Sequence, residues 1–225
     1  MATSGCTVRT GPFAGLVFSP ARAGEYCAHV LLGTYERELH PVIEEIIRSR
    51  YSLIIDIGAA NGYYVCGLKR RLPDVPVVAF ESVSSKHEGI RTLIRDNNVQ
   101  TGVTIEGFCD PVSLQRRLSD EPHPLVFCDI DGAEVEVLDP VSVPALLTTD
   151  ILVETHDGLR AGITDLLTGR FAGTHDIELI PERARTIEDA PNGTTLSDQE
   201  LLSAMDEFRG FPQAWLWMRA KGTSD

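Results

Sequence analysis

"LIIDIGAANGYY", residues 53–64, is an apolar run that breaks at an acid, Asp56, and then at small residues at 58, 59, 60 and 62. Glycines that follow a buried strand bring backbone close to a ligand, often a phosphate. This stretch departs from both phosphate fingerprints. It lacks the three-glycine spacing of the dinucleotide loop, and no Lys-Ser/Thr follows its last glycine as in a P-loop. A carboxylate at the end of the strand repels an anion. It suits a cation, or a hydroxyl or ammonium donor.

Outward from this run, short β-branched stretches alternate with amphipathic ones. Residues 52–57, 76–81, 102–107, 124–129 and 150–155 read as strands. Helical patterns fill 62–72, 86–97, 111–119, 133–147 and 159–171. Continuous apolar strands separated by helices predict a parallel sheet covered on both faces. In the tail, 174–180 and 214–220 read as two more strands flanking a helix, which Ser197 and Glu200 open with a capping box. Ahead of the sheet, residues 24–50 predict one or two helices, with Pro41 breaking or starting the second. "CTVRTGPFAGLVFS" (6–19) alternates around a Gly-Pro turn and reads as a small hairpin. The expected division is a hairpin-and-helix elaboration over 1–50, acting as a lid or as packing, and one domain over 51–225.

Composition bounds the partners. The chain has 225 residues, 43% apolar and 24% charged, which is enough for one sizeable core. A net charge of −13 opposes nucleic-acid binding, because that affinity comes from neutralised phosphates. The basic pairs in 68–72 and 114–118 fall on expected helices and read as solvated faces. No apolar run reaches the roughly 20 residues of a membrane span, and the N-terminus shows no signal-peptide pattern. A cytoplasmic protein with a small-molecule partner is expected, and a homodimer stays open. Five cysteines without a CxxC pair argue against a disulfide framework or a cysteine zinc site, and most are expected to be small core residues.

The second candidate strand ends in Glu81, about 20 residues beyond the glycine loop, where doubly wound folds grip a ribose diol. Asp56 and Glu81 together call for a nucleoside that carries positive charge near its sugar and no phosphate. S-adenosylmethionine meets that description with its adenosine, sulfonium and ammonium. The bland alternative is that Asp56 caps the following helix.

These residues also carry a resemblance. "IIDIGAANGYY" with "VVAFES" resembles the first two motifs of class I S-adenosylmethionine-dependent methyltransferases. "VFCDIDGAEVEVL" with "ILVETHD" is similar to the FkbM-type branch, with Asp131 where that branch usually has Glu. The resemblance covers about half the chain, residues 52–157. It implies an α/β, Rossmann-like, seven-stranded, mostly parallel sheet with helices on both faces and its last strand antiparallel, in agreement with the strand count. It implies that Gly58, Ala60 and Gly62 line the methionine side beside Asn61, with Asp56 near the ammonium. Glu81, followed by Ser82, would take the ribose. Phe108 and Cys109, or Asp110, would flank adenine, and Asp129 would border the cofactor.

Asp129, Asp131, Glu154, His156 and Asp157 all fall at the carboxyl ends of the fourth and fifth core strands. Glu154 and His156, two apart, share one face. Three readings stand. His156 is a general base with Glu154 and Asp129 as catalytic partners; or Asp129, Glu154 and His156 bind Mg²⁺, which is not favoured over the base; or the groups are structural, Asp131 capping a helix and Glu154 pairing with an arginine. The expected activity is methyl transfer to a small molecule, more readily at oxygen than at nitrogen. Two alternatives are other sulfonium chemistry, such as cyclisation of the cofactor, and a non-catalytic binding module. Tyr35 and Glu36 in "LLGTYERELHP" (31–41) read either as a lid or, preferably, as a packing helix with solvated charges. His175 reads as structural.

Overall fold

The protein is described from a computed structural model, which covers residues 6–19 and 28–222. Cys27 lies outside the described residues. The opening hairpin is present, β1 (Cys6–Thr7) pairing antiparallel with β2 (Val17–Phe18). Helices α1 (Ala28–Leu32) and α2 (His40–Arg48) follow, with Pro41 in the first turn of α2, where a missing N–H costs nothing.

The core sheet comprises β3 (Leu53–Ile57), β4 (Val77–Phe80), β5 (Val103–Glu106), β6 (Pro124–Cys128), β7 (Asp150–Thr155), β8 (His175–Pro181) and β9 (Ala214–Ala220). Their order across the sheet is β5-β4-β3-β6-β7-β9-β8. Pairings among β3 to β7 are parallel, and β9 runs antiparallel to both its neighbours. Every residue of β3, β4, β6 and β7 is buried, as continuous apolar runs require when helices cover both faces. On one face pack the hairpin, α2, α3 (Tyr63–Arg71) and α4 (His87–Asp96). On the other pack α5 (Pro111–Leu118), α6 (Glu134–Val137) and α7 (Ile163–Phe171). β9 serves both faces by alternation: Trp215 and Trp217 enter the first core, Leu216 and Met218 the second. The capping box of Ser197 and Glu200 opens α8 (Asp198–Met205). Cys66, Cys109 and Cys128 are buried free thiols, and Cys6 is half-buried. His175 is a buried structural group, its Nε2 on the Thr149 carbonyl at 2.8 Å. No helix among the described residues is long and apolar enough to cross a membrane.

The helix expected over 133–147 is not formed. Its apolar spacing continues, but Pro140 and Pro144 cannot, because each lacks a donor and disfavours helix in the residue before it. The chain makes the single turn of α6, an Asp139 side-chain turn onto the Val141 amide (3.1 Å), and a 3₁₀ turn over Pro144–Thr148. Likewise α7 starts at Ile163 rather than 159, after Gly162.

Register positions the site. Ile57 pairs with Phe80 and with Cys128, and Cys128 pairs with Val153. The residues one step beyond therefore form a row across neighbouring strand ends: Glu81, Gly58, Asp129 and Glu154. The order reverses between β3 and β6, the switch point where open α/β sheets bind ligands.

Candidate active site

Gly58 sits where two strand ends converge. Its φ is +91°, and a Cβ there would lie 1.8 Å from the Asp129 carbonyl oxygen. The amides of Gly58 and Ala59 both donate to the Phe80 carbonyl, at 2.9 and 3.0 Å. Ala60 is left-handed at φ +46°, a strained setting for a residue with a Cβ. This turn aims the Ala60 amide at Glu81 Oε2 (2.8 Å), while Glu81 Oε1 accepts from the Val83 amide (2.8 Å). The buried Glu81 carboxylate is thus fixed at both oxygens, and each keeps a further lone pair. Gly62, at φ +88°, starts α3 against Ile90.

Two cavities meet at Gly58, Ala60 and Asp129. The larger, about 540 Å³, also has Glu81, Ser82, Phe108 and Cys109 in its wall. The smaller, about 200 Å³, has Asp56, Asn61 and the aromatic residues Tyr35, Tyr63 and Tyr64. The sequence-derived cofactor residues are brought together, apart from Gly62, which shapes the turn and lines neither cavity. Asp110 accepts from the Ser113 amide at 2.9 Å and caps α5.

Burial, with Asp129 and Glu81 nearby, pushes the Asp56 carboxyl up to about 8. A carboxyl whose folded value exceeds its unfolded value of about 3.9 confers stability in its neutral form. That contribution is complete below the unfolded value and is lost as pH rises through the folded one. The ligand-free protein should therefore lose melting temperature relative to Asp56→Asn progressively between about pH 4 and pH 8; parallel curves in scanning calorimetry would contradict this.

Beyond Asp129 lies a buried polar cluster. His156 Nδ1 and Glu134 Oε1 are 2.6 Å apart, and the same oxygen accepts from the Gly132 amide at 3.0 Å. Burial works against charge on Glu134, but His156 and the Gly132 amide hold its carboxyl below the usual range. An ionised Glu134 only accepts, so Nδ1 carries a proton. Burial also opposes charge on His156, yet Glu134, Asp129 and Asp131 together raise it. Burial, Asp129 and Glu36 push Glu154 up to about 10 against the pull of Arg209. Asp129 is raised as well, chiefly by burial. Asp131 is exposed at φ +53° and caps nothing, since α6 has no side-chain cap. Asp157 turns away to the Gly162 amide (2.8 Å).

Sequence reasoning gave no role to two members of the site, Glu134 and Arg209, and preferred a solvated setting to a lid for a third, Glu36. Glu134 lay inside a quoted motif without a role. Glu36, expected among solvated charges, is instead 1% exposed at φ +46°. Tyr64 donates to its Oε2, and Arg209 Nη2 donates to its Oε1 at 2.7 Å. Burial, first of all, pushes the Glu36 carboxyl up to about 7. Arg209 also binds Glu154 Oε1 and, through Nε, Glu207 at 3.0 Å. One guanidinium thus ties the N-terminal segment and the 206–209 loop to the end of β7, next to Tyr64 in the wall of the smaller cavity.

No protein-family model matches the chain, and a search of curated proteins returns no relative. Solved structures do match. Precorrin-6y C5,15-methyltransferase from Geobacter metallireducens is 17% identical at TM-score 0.52, covering 80% of this chain and 86% of that one. The O-methyltransferase TomG from Streptomyces achromogenes, in complex with S-adenosylmethionine, is 14% identical at 0.50, covering 81% and 78%. Fibrillarin in complex with Nop5p is 11% identical at 0.54, covering 96% and 92%. At such identities the likeness is one of architecture: the chain has the Rossmann-like fold of these methyltransferases.

Proposed function

We propose that the protein is an S-adenosylmethionine-dependent methyltransferase of the FkbM-like branch that methylates a hydroxyl of a small molecule. The observation that carries this reading is the row Glu81, Gly58, Asp129 and Glu154. Along it, a fixed carboxylate, a glycine turn and an acidic cluster border two joined cavities, the larger of about 540 Å³ within the range of small-molecule sites. The residues fit the cofactor. Glu81 retains lone pairs for a ribose diol, the left-handed Gly58 lets the chain turn past the Asp129 carbonyl where no Cβ fits, and buried Asp56 faces the smaller cavity, where positive charge is needed. Bound there, the sulfonium supplies an activated methyl group. The chain's part is alignment, which dominates when the leaving group is already good, and removal of the acceptor's proton at the cluster of His156, Glu154 and Asp129. The FkbM-like reading gains support because Glu134 and His156, from its two later motifs, meet at 2.6 Å.

The test is incubation with methyl-labelled cofactor and a panel of hydroxylated metabolites. Label is expected on an acceptor oxygen. His156→Ala should keep cofactor affinity and lose about 10²-fold in turnover. Label retained on the cofactor, or left on the methylthioadenosine expelled when its amino-acid tail cyclises, would contradict methyl transfer. Unchanged turnover in His156→Ala would remove that residue from the mechanism.

A further inference from the structure

The cluster that must meet an acceptor is shut: Glu154 and His156 are 2% and 1% exposed. On one side Asp129 borders the two cavities that take the cofactor in the proposed reading. On the other stands Arg209. Its guanidinium donates to Glu154 Oε1, to Glu36 Oε1 at 2.7 Å and to Glu207 Oε2 at 3.0 Å. Arg209 also lines a third cavity of about 540 Å³, with Glu182, Arg183, Arg185, Glu207 and Pro212 in its wall. It therefore belongs both to the cluster and to an open volume that the cofactor does not claim.

Arg209 sits on a strap, residues 206–212, laid across the end of β7. At one end the Asp206 carbonyl meets His29 Nδ1 at 3.0 Å, and Glu207 Oε1 accepts from the Glu36 amide at 2.9 Å. At the other, Phe211 packs so closely on Gly158 that a Cβ there would stand 2.3 Å from its ring. Among the described residues, no hydrogen bond between main chains joins 207–212 to another segment, so side chains hold the strap down. Phe208, in its middle, combines φ +53° with 76% exposure, two costs for a large apolar residue. A segment anchored in this way opens locally at low cost.

The guanidinium itself is harder to release. Glu36, Glu154 and Glu207 are buried against it, and Arg185 is already engaged with Glu38 and Glu207. Vacating the place strands three carboxyl groups together, a cost that an incoming cation removes. A separate group there also lacks a partner. Trp215 pairs with Glu154 across β7 and β9, so the two share a face, yet its buried Nε1 donates to nothing. Its ring lies 5.1 Å from that of Phe127, in the wall of the smaller cavity. An N–H so placed calls for a ligand oxygen.

We propose that Arg209 is a built-in substitute for the methyl acceptor, its guanidinium filling the socket of Glu36, Glu154 and Glu207 that a cationic group of the acceptor takes when the strap swings out. The acceptor is then a small molecule that carries a hydroxyl together with an ammonium or guanidinium group. Its cation meets Glu36 and Glu154 Oε1, and its hydroxyl lies toward His156, whose Nε2 is 3.5 Å from Glu154 Oε2. The rest of the molecule extends into the third cavity. That this ligand is the methyl acceptor rests on the methyl-transfer reading; exchange of one cation for another does not.

The socket is tested without turnover, on the full chain, with three probes of one skeleton: aminobutanol, butanediol and hydroxybutyrate. In calorimetry the amine should bind about tenfold or more tighter than the diol, and the acid should not bind. Arg209→Ala, confirmed as folded by circular dichroism, should bind the amine about tenfold or more tighter than the parent, because the tethered competitor is gone. Glu36→Gln added to that variant should reverse most of the gain. In the unaltered chain the amine should speed hydrogen exchange at the amides of 207–212 and Glu36, a readout that needs no variant. Equal binding of amine and diol, preference for the acid, unchanged affinity in Arg209→Ala, or exchange that the amine leaves unaltered would each overturn the proposal. If the chain binds the amine but not S-adenosylmethionine, the socket stands and its role as the methyl-acceptor site is overturned.

Discussion

Replacing Gly58 with alanine is expected to weaken S-adenosylmethionine binding by more than about 100-fold, roughly 2.7 kcal/mol. A left-handed φ alone costs a residue with a Cβ about 1–2 kcal/mol. The larger effect is steric, since the added carbon would stand 1.8 Å from the Asp129 carbonyl oxygen. Neither strand end can rotate away, because Asp129 donates its own amide to the Ile57 carbonyl at 2.9 Å and Gly58 donates to Phe80. Relief requires β3 and β6 to separate at their ends, which displaces Asp129 and tears the wall common to both cavities. Calorimetry on folded Gly58→Ala protein checks this; binding within threefold of the parent would show that the cradle is not the cofactor site.

The second large effect concerns stability. Arg209→Met should destabilise the protein by about 3 kcal/mol or more at pH 8, lowering Tm by about 6–12 °C. Removing the guanidinium leaves Glu36, Glu154 and Glu207 crowded in a site where the first two are almost wholly buried. The loss should shrink at pH 5.5, because Glu36, raised to about 7 chiefly by burial, takes up a proton between the two pH values, whereas Glu154, raised to about 10, already holds one at pH 8. Thermal melts at the two pH values measure it. A pH-independent loss below about 1 kcal/mol would mean that the network behaves as a surface ion pair.

The row from Glu81 to Glu154 was legible because β4 and β6 end just before their first acids, Gly58 follows β3, and parallel register lines these positions up with Glu154 near the end of β7. Period-two geometry likewise set Glu154 and His156 on one face. Arg209 and Glu36 were not legible. They meet across 173 positions, and their segments have the charged composition of solvated surface, so only the tertiary fold shows that the two charges bury each other. The helix expected over 133–147 failed for a local reason that was visible: apolar spacing was weighed above two prolines, and backbone chemistry prevailed. Asp56 carried the most information per residue. Its acid, placed where a phosphate would be repelled, narrowed the ligand before any fold was drawn.

Isothermal titration of the protein with S-adenosylmethionine and with its demethylated product tests the central claim most directly. The account predicts micromolar binding of both, weakened at least tenfold by Glu81→Ala through loss of the ribose contact. Failure of the protein to bind either ligand would contradict it.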